Sequence, residues 1–191
     1  MLNRKKIACL IALFVGCYGT ANAQSVVHAV GGTITGSPSA GAITLNLDDG
    51  TSGSFNFLAT PDAKLTFPED VRAETAPPDK PVANGSHVIL YYIWNSDGKA
   101  AVAVQSLGSG PFEKVTGTIL KFDKHAHDLT LRTADGKTEN ILVASKTVVD
   151  TVDGVEEGAQ YRAEKGDHVR LLAESKNGNV EALFIRPEGD D

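Results

Sequence analysis

Cysteine and aromatic side chains are scarce in this chain, and an excess of positive charge is absent. The only cysteines are Cys9 and Cys17, so nothing beyond them can form a disulfide or do thiol chemistry. Lys plus Arg number 18 against 24 Asp plus Glu, a net charge of -6. An acidic chain lacks the clustered cations that a phosphate backbone or an anionic membrane surface demands, which argues against nucleic acid as a partner. No apolar run approaches the ~18 residues needed to cross a bilayer as a helix. Catalytic signatures are missing too. There is no G-x-S-x-G elbow to expose a serine nucleophile, and no glycine-rich loop with a following Lys to cradle phosphate. Acidic residues such as Glu156 and Glu157 sit in ordinary polar turns, with no pair set apart for glycoside hydrolysis. The chain is expected to be no enzyme and to carry no cofactor.

What is present begins with an address. Arg4, Lys5 and Lys6 precede an apolar run at 7–15, and small residues lead to Ala21-Asn22-Ala23. This is the three-part order of a secretory signal, with residues 1–23 removed before Gln24. A second reading takes Leu13-Phe14-Val15-Gly16-Cys17 as a lipoprotein signal, with Cys17 acylated and the body tethered to a membrane. Phe14 fits that motif poorly. In the first reading both cysteines leave, the charge falls to -9, and 168 residues remain to build a core, enough for one or two. The expected location is the periplasm or the medium, with a lipid-anchored form as the alternative.

The rest of the chain echoes itself. Ala29-Val30-Gly31-Gly32-Thr33-Ile34 resembles Lys114-Val115-Thr116-Gly117-Thr118-Ile119, and Ile43-Thr44-Leu45 before Asp49-Gly50 resembles Leu129-Thr130-Leu131 before Asp135-Gly136. Gly85-Ser86-His87-Val88 is answered by Gly166-Asp167-His168-Val169, and Asp97-Gly98 by Asn177-Gly178. Four blocks in the same order, some 80 to 86 residues apart, predict two tandem modules, 26–108 and 112–187. A Pro-rich insertion at 68–81 belongs to the first, Gly108-Ser109-Gly110-Pro111 joins them, and 188–191 form an acidic tail.

Each module reads as strands. Thr44-Leu45-Asn46-Leu47 and Leu129-Thr130-Leu131-Arg132 alternate polar and apolar, and Asp-Gly between two such runs supports a tight hairpin. Helical signal is confined to one turn at 69–74 and another at 152–161. Gly32 and Gly117 interrupt strand-forming runs at the same point of each module, as a sharply bent strand requires. The predicted fold is all-β: two OB-like antiparallel barrels of five to six strands each, with a β-sandwich as the alternative.

The order G-T-I, alternating strand, D-G, strand, G-D-x-V and closing apolar strand resembles the bacterial exported repeats classed as domain of unknown function 5666. Gly117-Thr118-Ile119, Asp135-Gly136 and Gly166-Asp167-His168-Val169 carry the likeness over 114–186. The stretch 29–106 departs from it, with Ser86 in place of the Asp and the insertion at 68–81. The resemblance implies a small exported β-barrel without established catalytic residues.

Two groups of side chains are candidates for binding. His125-Ala126-His127, flanked by Asp123 and Asp128, offers two imidazoles to a metal, or else is a polar hairpin tip. Val88 to Trp94 is apolar on both faces. Val88, Leu90 and Tyr92 match core positions of the second module, which leaves Ile89, Tyr91 and Ile93 on an outer strip. Such a strip packs against the second module or the insertion, or binds a partner. Trp94, at the strand end, is the first contact expected for a ligand. The expected role is a non-catalytic envelope module contacting a protein or glycan. Alternatives are an OB-like barrel holding a small ligand or polymer, favoured if polar and aromatic groups converge near Tyr92 and Trp94, and a metal-dependent activity at His125 and His127.

Overall fold

The computed structural model describes residues 25–39, 41–58, 65–80 and 82–189; the predicted signal segment at 1–23, with Cys9 and Cys17, and the last two residues lie outside these. From the N-terminus the strands are β1 (Ser25–Val26), β2 (His28–Ser39), β3 (Ala42–Leu47), β4 (Ser52–Phe57) and β5 (Leu65–Thr66). One helical turn, α1 (Glu69–Ala73), precedes β6 (His87–Asn95) and β7 (Gly98–Gly108). The second half has β8 (Glu113–Asp123), β9 (Asp128–Thr133), β10 (Thr138–Leu142), β11 (Val148–Thr151), β12 (Gly154–Glu157), β13 (His168–Lys176) and β14 (Asn179–Glu188). The Asp-Gly and Asn-Gly pairs lie at the turns that join β3 to β4, β6 to β7, β9 to β10 and β13 to β14, where the sequence places hairpins. The stretch 152–161 departs from its predicted helical turn. It folds back as the β11–β12 hairpin, because β11 lies parallel to β14, with Val148 opposite Phe184, and only a strand can make that pairing. Glu188, the first residue of the predicted acidic tail at 188–191, pairs with His168, and 190–191 lie outside the described residues.

The first five long strands close into a barrel in the order β2-β3-β4-β7-β6. Four of its contacts are antiparallel and the β4–β7 contact is parallel. The second sheet repeats this order as β8-β9-β10-β14-β13, again with one parallel contact, Leu142 opposite Glu181, that returns β10 to β14. This is the OB-like arrangement rather than the sandwich. Alternation delivers one face of every strand to the barrel interior. Val30, Ile34, Ile43, Leu45, Phe55, Val88 and Leu90 fill the first, and Ile119, Leu129, Leu131, Ile141, Val169 and Leu171 the second. No helix among the described residues is long and apolar enough to cross a membrane.

Gly32 and Gly117 have the same task. A Cβ on Gly32 would lie 2.7 Å from the Asn46 carbonyl oxygen, and one on Gly117 2.7 Å from that of Arg132. At these points β3 and β9 cross so closely over β2 and β8 that no side chain fits between them, which is how a short strand curls tightly enough to serve a five-stranded ring. Register shifts follow in both pairs, after Ile34 and after Ile119. The segments entering β6 and β13 match as well. Gly85 N–H donates to the Ile34 carbonyl and Ile34 N–H to that of Ser86, just as Gly166 N–H donates to Ile119 and Ile119 N–H to Asp167.

Replacing Gly32 or Gly117 by Ala forces backbone to move and should cost about 1–3 kcal/mol in either case. Urea denaturation of the two variants checks this; an unchanged midpoint for both would show that the strands have room to spare.

Candidate functional site

Strand β6 is apolar on both faces because both faces are covered. Val88, Leu90 and Tyr92 point into the first barrel, while Ile89, Tyr91 and Ile93 belong to a second apolar cluster with Val148, Val155, Leu172 and Phe184 of the other barrel. Phe67, from the segment between β4 and β6, lies edge-on over Tyr91 with ring centroids 4.9 Å apart. The Tyr91 hydroxyl donates to Gln105 Oε1 at 2.8 Å, and burial holds the phenol far above its ordinary pKa. Ile89, Tyr91 and Ile93 are therefore covered from within the chain and leave no surface for a partner. The β11–β12 hairpin adds a backbone link across the seam, Val155 N–H to the Val27 carbonyl at 2.8 Å.

Two carboxylates pin the rim of that seam. Asp150, on β11, accepts from the Ala29 N–H at 3.0 Å and lies 3.1 Å from His28 Nδ1 and 3.8 Å from Arg186 Nε. Burial outweighs these partners and raises its pKa. Asp48, in the β3–β4 turn, lies 3.0 Å from His87 Nε2 and 2.9 Å from Lys114 Nζ of the second barrel. Here burial also pushes upward, but the hydrogen bonds and charges of His87 and Lys114 prevail and its pKa is lowered. Asp49 beside it faces Arg170 at 4.0 Å.

His87 and His168 do occupy matching places. His87 Nδ1 lies 3.3 Å from Thr33 Oγ1, and His168 Nδ1 lies 3.3 Å from Thr118 Oγ1, each pair being register partners. Asp48, His87 and Thr33 thus stand in the order carboxylate, imidazole, hydroxyl. The identical Thr–His contact in the second barrel, without a carboxylate, shows that the shared register alone generates it. Neither Thr33 nor His87 lines any of the cavities described below.

His125 and His127 lie at the β8–β9 hairpin tip. Asp123 there accepts backbone N–H bonds from His125 at 3.1 Å and Ala126 at 3.2 Å, and His127 takes a positive φ of 56°. Asp123 closes the turn instead of facing a metal. Among the described residues no group of three or more His, Cys, Asp or Glu side chains is placed to hold an ion.

Trp94 is different. It is 61% exposed, against 3% for Tyr92 two residues earlier. Tyr92 meets the indole edge-on at 6.2 Å and Phe55 packs on Tyr92 at 5.5 Å. Directly across the hairpin from Trp94 stands Lys99, whose ammonium lies 5.0, 5.2 and 5.9 Å from the ring centroids of Trp94, Tyr92 and Phe55. Each face of that kind contributes roughly 0.5–1 kcal/mol at an exposed site, enough to hold a long flexible side chain in one place. Beside this cluster is a cavity of about 220 Å³, lined by Asn56, Phe57, Leu58, Asn95, Asp97 and Lys99 with Ala100. Asn95 Oδ1 accepts the Asp97 N–H at 2.9 Å, which fixes the amide and leaves its NH₂ as a donor. Phe57 and Leu58 also line a larger cavity of about 1000 Å³ running toward Phe67, Arg72 and Asp79. In the second barrel the positions of Tyr92 and Trp94 hold Ala173 and Ser175, so the aromatic mouth belongs to the first barrel alone.

Sequence reading singled out Trp94 but missed Lys99, Phe55, Asn56, Asn95 and Asp97. Lys99 was within reach: counting outward from the turn pairs Asn95 with Gly98 and hence Trp94 with Lys99. Phe55 and Asn56 come from a different hairpin, and only barrel closure brings them near.

No family model matches the sequence, and no curated protein matches it. Among solved structures, the crystal structure of Ag(I)CusF is similar to 41% of this chain and 100% of that one, at 13% identity and a TM-score of 0.33.

The seam and the mouth should respond oppositely to truncation. Ile89→Ala leaves a cavity between the barrels and should cost about 2–5 kcal/mol, whereas Trp94→Ala, at the surface, should change stability by about 1 kcal/mol or less. Thermal unfolding of the two variants checks the contrast, and equal losses would contradict it.

Proposed function

We propose that this protein is a non-catalytic binding module of the bacterial envelope, exported by its leader, and that it holds a glycan at the mouth of the first barrel. The carrying observation is a cavity at that mouth lined by a fixed amide, a carboxylate and an ammonium, with a solvent-facing indole just outside its lining whose ring centroid is 5.0 Å from that ammonium. A sugar presents a C–H face that packs on an aromatic ring and a rim of hydroxyls that exchange hydrogen bonds with amides and carboxylates. Trp94 supplies the ring, and Asn56, Asn95, Asp97 and Lys99 supply the polar partners. The second barrel contributes rigidity: it covers the outer face of β6 and so fixes the strand from which Trp94 projects. Binding by a preorganised ring avoids much of the ordering entropy that a mobile loop would lose.

A non-catalytic role agrees with the arrangement of ionisable groups. His28–Asp150 and Asp48–Lys114 join the two barrels, His87 holds Asp48 from within the first, and these groups are used up in doing so. The charged groups at the mouth are solvent-facing.

Sedimentation with isolated peptidoglycan sacculi and other envelope polysaccharides tests the reading. Wild-type protein is expected to pellet with at least one of them, and Trp94→Ala, which keeps the fold, to lose roughly tenfold or more in affinity. Equal retention of both proteins, or no retention of wild type by any glycan, would refute it.

A further inference from the structure

Lys99 gives the mouth a sign as well as a shape. Its ammonium is held at 5.0 to 5.9 Å from three ring centroids, on the side of the cluster that borders the 220 Å³ cavity. An ammonium over aromatic faces keeps its full charge and its three N–H donors, and the rings restrict where that charge can go. The cation is thereby preorganised at the cavity edge, next to an indole whose exposed surface can carry a ring. A space of about 220 Å³ is below the usual range of a cavity for a drug-sized ligand and suits a single sugar unit.

Building on the glycan reading above, we infer that this cavity and the indole adjoining it through Lys99 form a subsite for one acidic sugar residue, with its carboxylate paired with Lys99 and its ring reaching out toward Trp94. Asp97, which lines the same cavity, accepts hydroxyl protons, and the Asn95 NH₂ donates to a ring or hydroxyl oxygen. Acidic groups more than roughly 8 Å away are largely screened at physiological salt; Asp97, in the same lining, does repel an anion, so the ligand carboxylate must lie at the Lys99 side of the cavity. A neighbouring cation decides whether a lone carboxylate is welcome. The second barrel makes the contrast: with Ala173 and Ser175 in the matching positions it has neither ring nor ammonium clamp, and it is assigned no such subsite.

The single tryptophan of the chain makes the test direct, because its emission reports on this mouth alone. Oligogalacturonate and the same oligomer methyl-esterified at its carboxylates are titrated into wild-type, Lys99→Gln and Lys99→Arg proteins, with calorimetry in parallel. The acid form should bind wild type roughly three- to tenfold more tightly than the ester. That preference should vanish in Lys99→Gln, survive in Lys99→Arg, and shrink as salt rises. Equal binding of acid and ester by wild type, or a preference that persists in Lys99→Gln, overturns the pairing with Lys99 and leaves the glycan reading intact. Silence of both emission and calorimetry with both oligomers overturns the acidic-sugar assignment, while sacculus and polysaccharide sedimentation decides the broader reading separately.

Discussion

Strand β6 has no solvent-facing side along most of its length, and the architecture follows from that. Its even-numbered residues Val88, Leu90 and Tyr92 complete the interior of the first barrel; its odd-numbered residues Ile89, Tyr91 and Ile93 need a second cover. Each such side chain gains roughly 1.5–3 kcal/mol by leaving water. The second barrel provides the cover with Leu172 and Phe184, the β11–β12 hairpin with Val148 and Val155, and the first barrel's own insertion with Val71 and Phe67. The segment between the third and fourth barrel strands is elaborated in both halves, and in both it folds toward the seam.

Around this apolar contact the polar groups set orientation. A buried carboxylate needs partners, and across the seam Asp48 finds Lys114 and Asp150 finds His28 and the Ala29 N–H. Their pKa values move in opposite directions because burial, which pushes both upward, is deeper at Asp150, while Asp48 has an ammonium as well as an imidazole in direct contact. The outcome is a fixed platform. At one end of it, where β6 escapes the seam, the apolar pattern stops and Trp94 emerges into solvent.

Features governed by neighbours in sequence were legible without coordinates: the hairpin turns at Asp-Gly and Asn-Gly, the alternation of β3 and β9, the single helical turn at 69–73, and the special need for glycine at 32 and 117. The apolar character of both faces of β6 was legible as well, from comparing Val88 to Trp94 with Val169 to Ser175, but the same pattern offered Ile89, Tyr91 and Ile93 as a partner-binding strip, and only the long-range packing decides what covers them. Features governed by long-range pairing were not. A four-residue strand such as β12 has too little pattern to distinguish it from a helical turn, and its state is decided by β11, itself decided by β14. Asp48 reads as an ordinary turn residue until Lys114, 66 positions later in the chain, is brought 2.9 Å away. The same holds for the mouth, where the cross-hairpin partner Lys99 could be counted out but Phe55 and Asn56 could not. The two histidines at 125 and 127 show the opposite hazard: a suggestive spacing at a hairpin tip where the neighbouring Asp123 is turned to backbone N–H groups and no third potential ligand joins them among the described residues.

If the seam is as extensive as the burial of β6 implies, the barrels cannot unfold one without the other. Urea unfolding followed simultaneously by Trp94 emission, which reports on the first barrel, and by far-ultraviolet circular dichroism, which reports on both, measures this directly. The account predicts one transition with coincident midpoints. Two separated transitions, with the tryptophan signal tracking only one, would show that each barrel stands alone and that β6 does not depend on its neighbour.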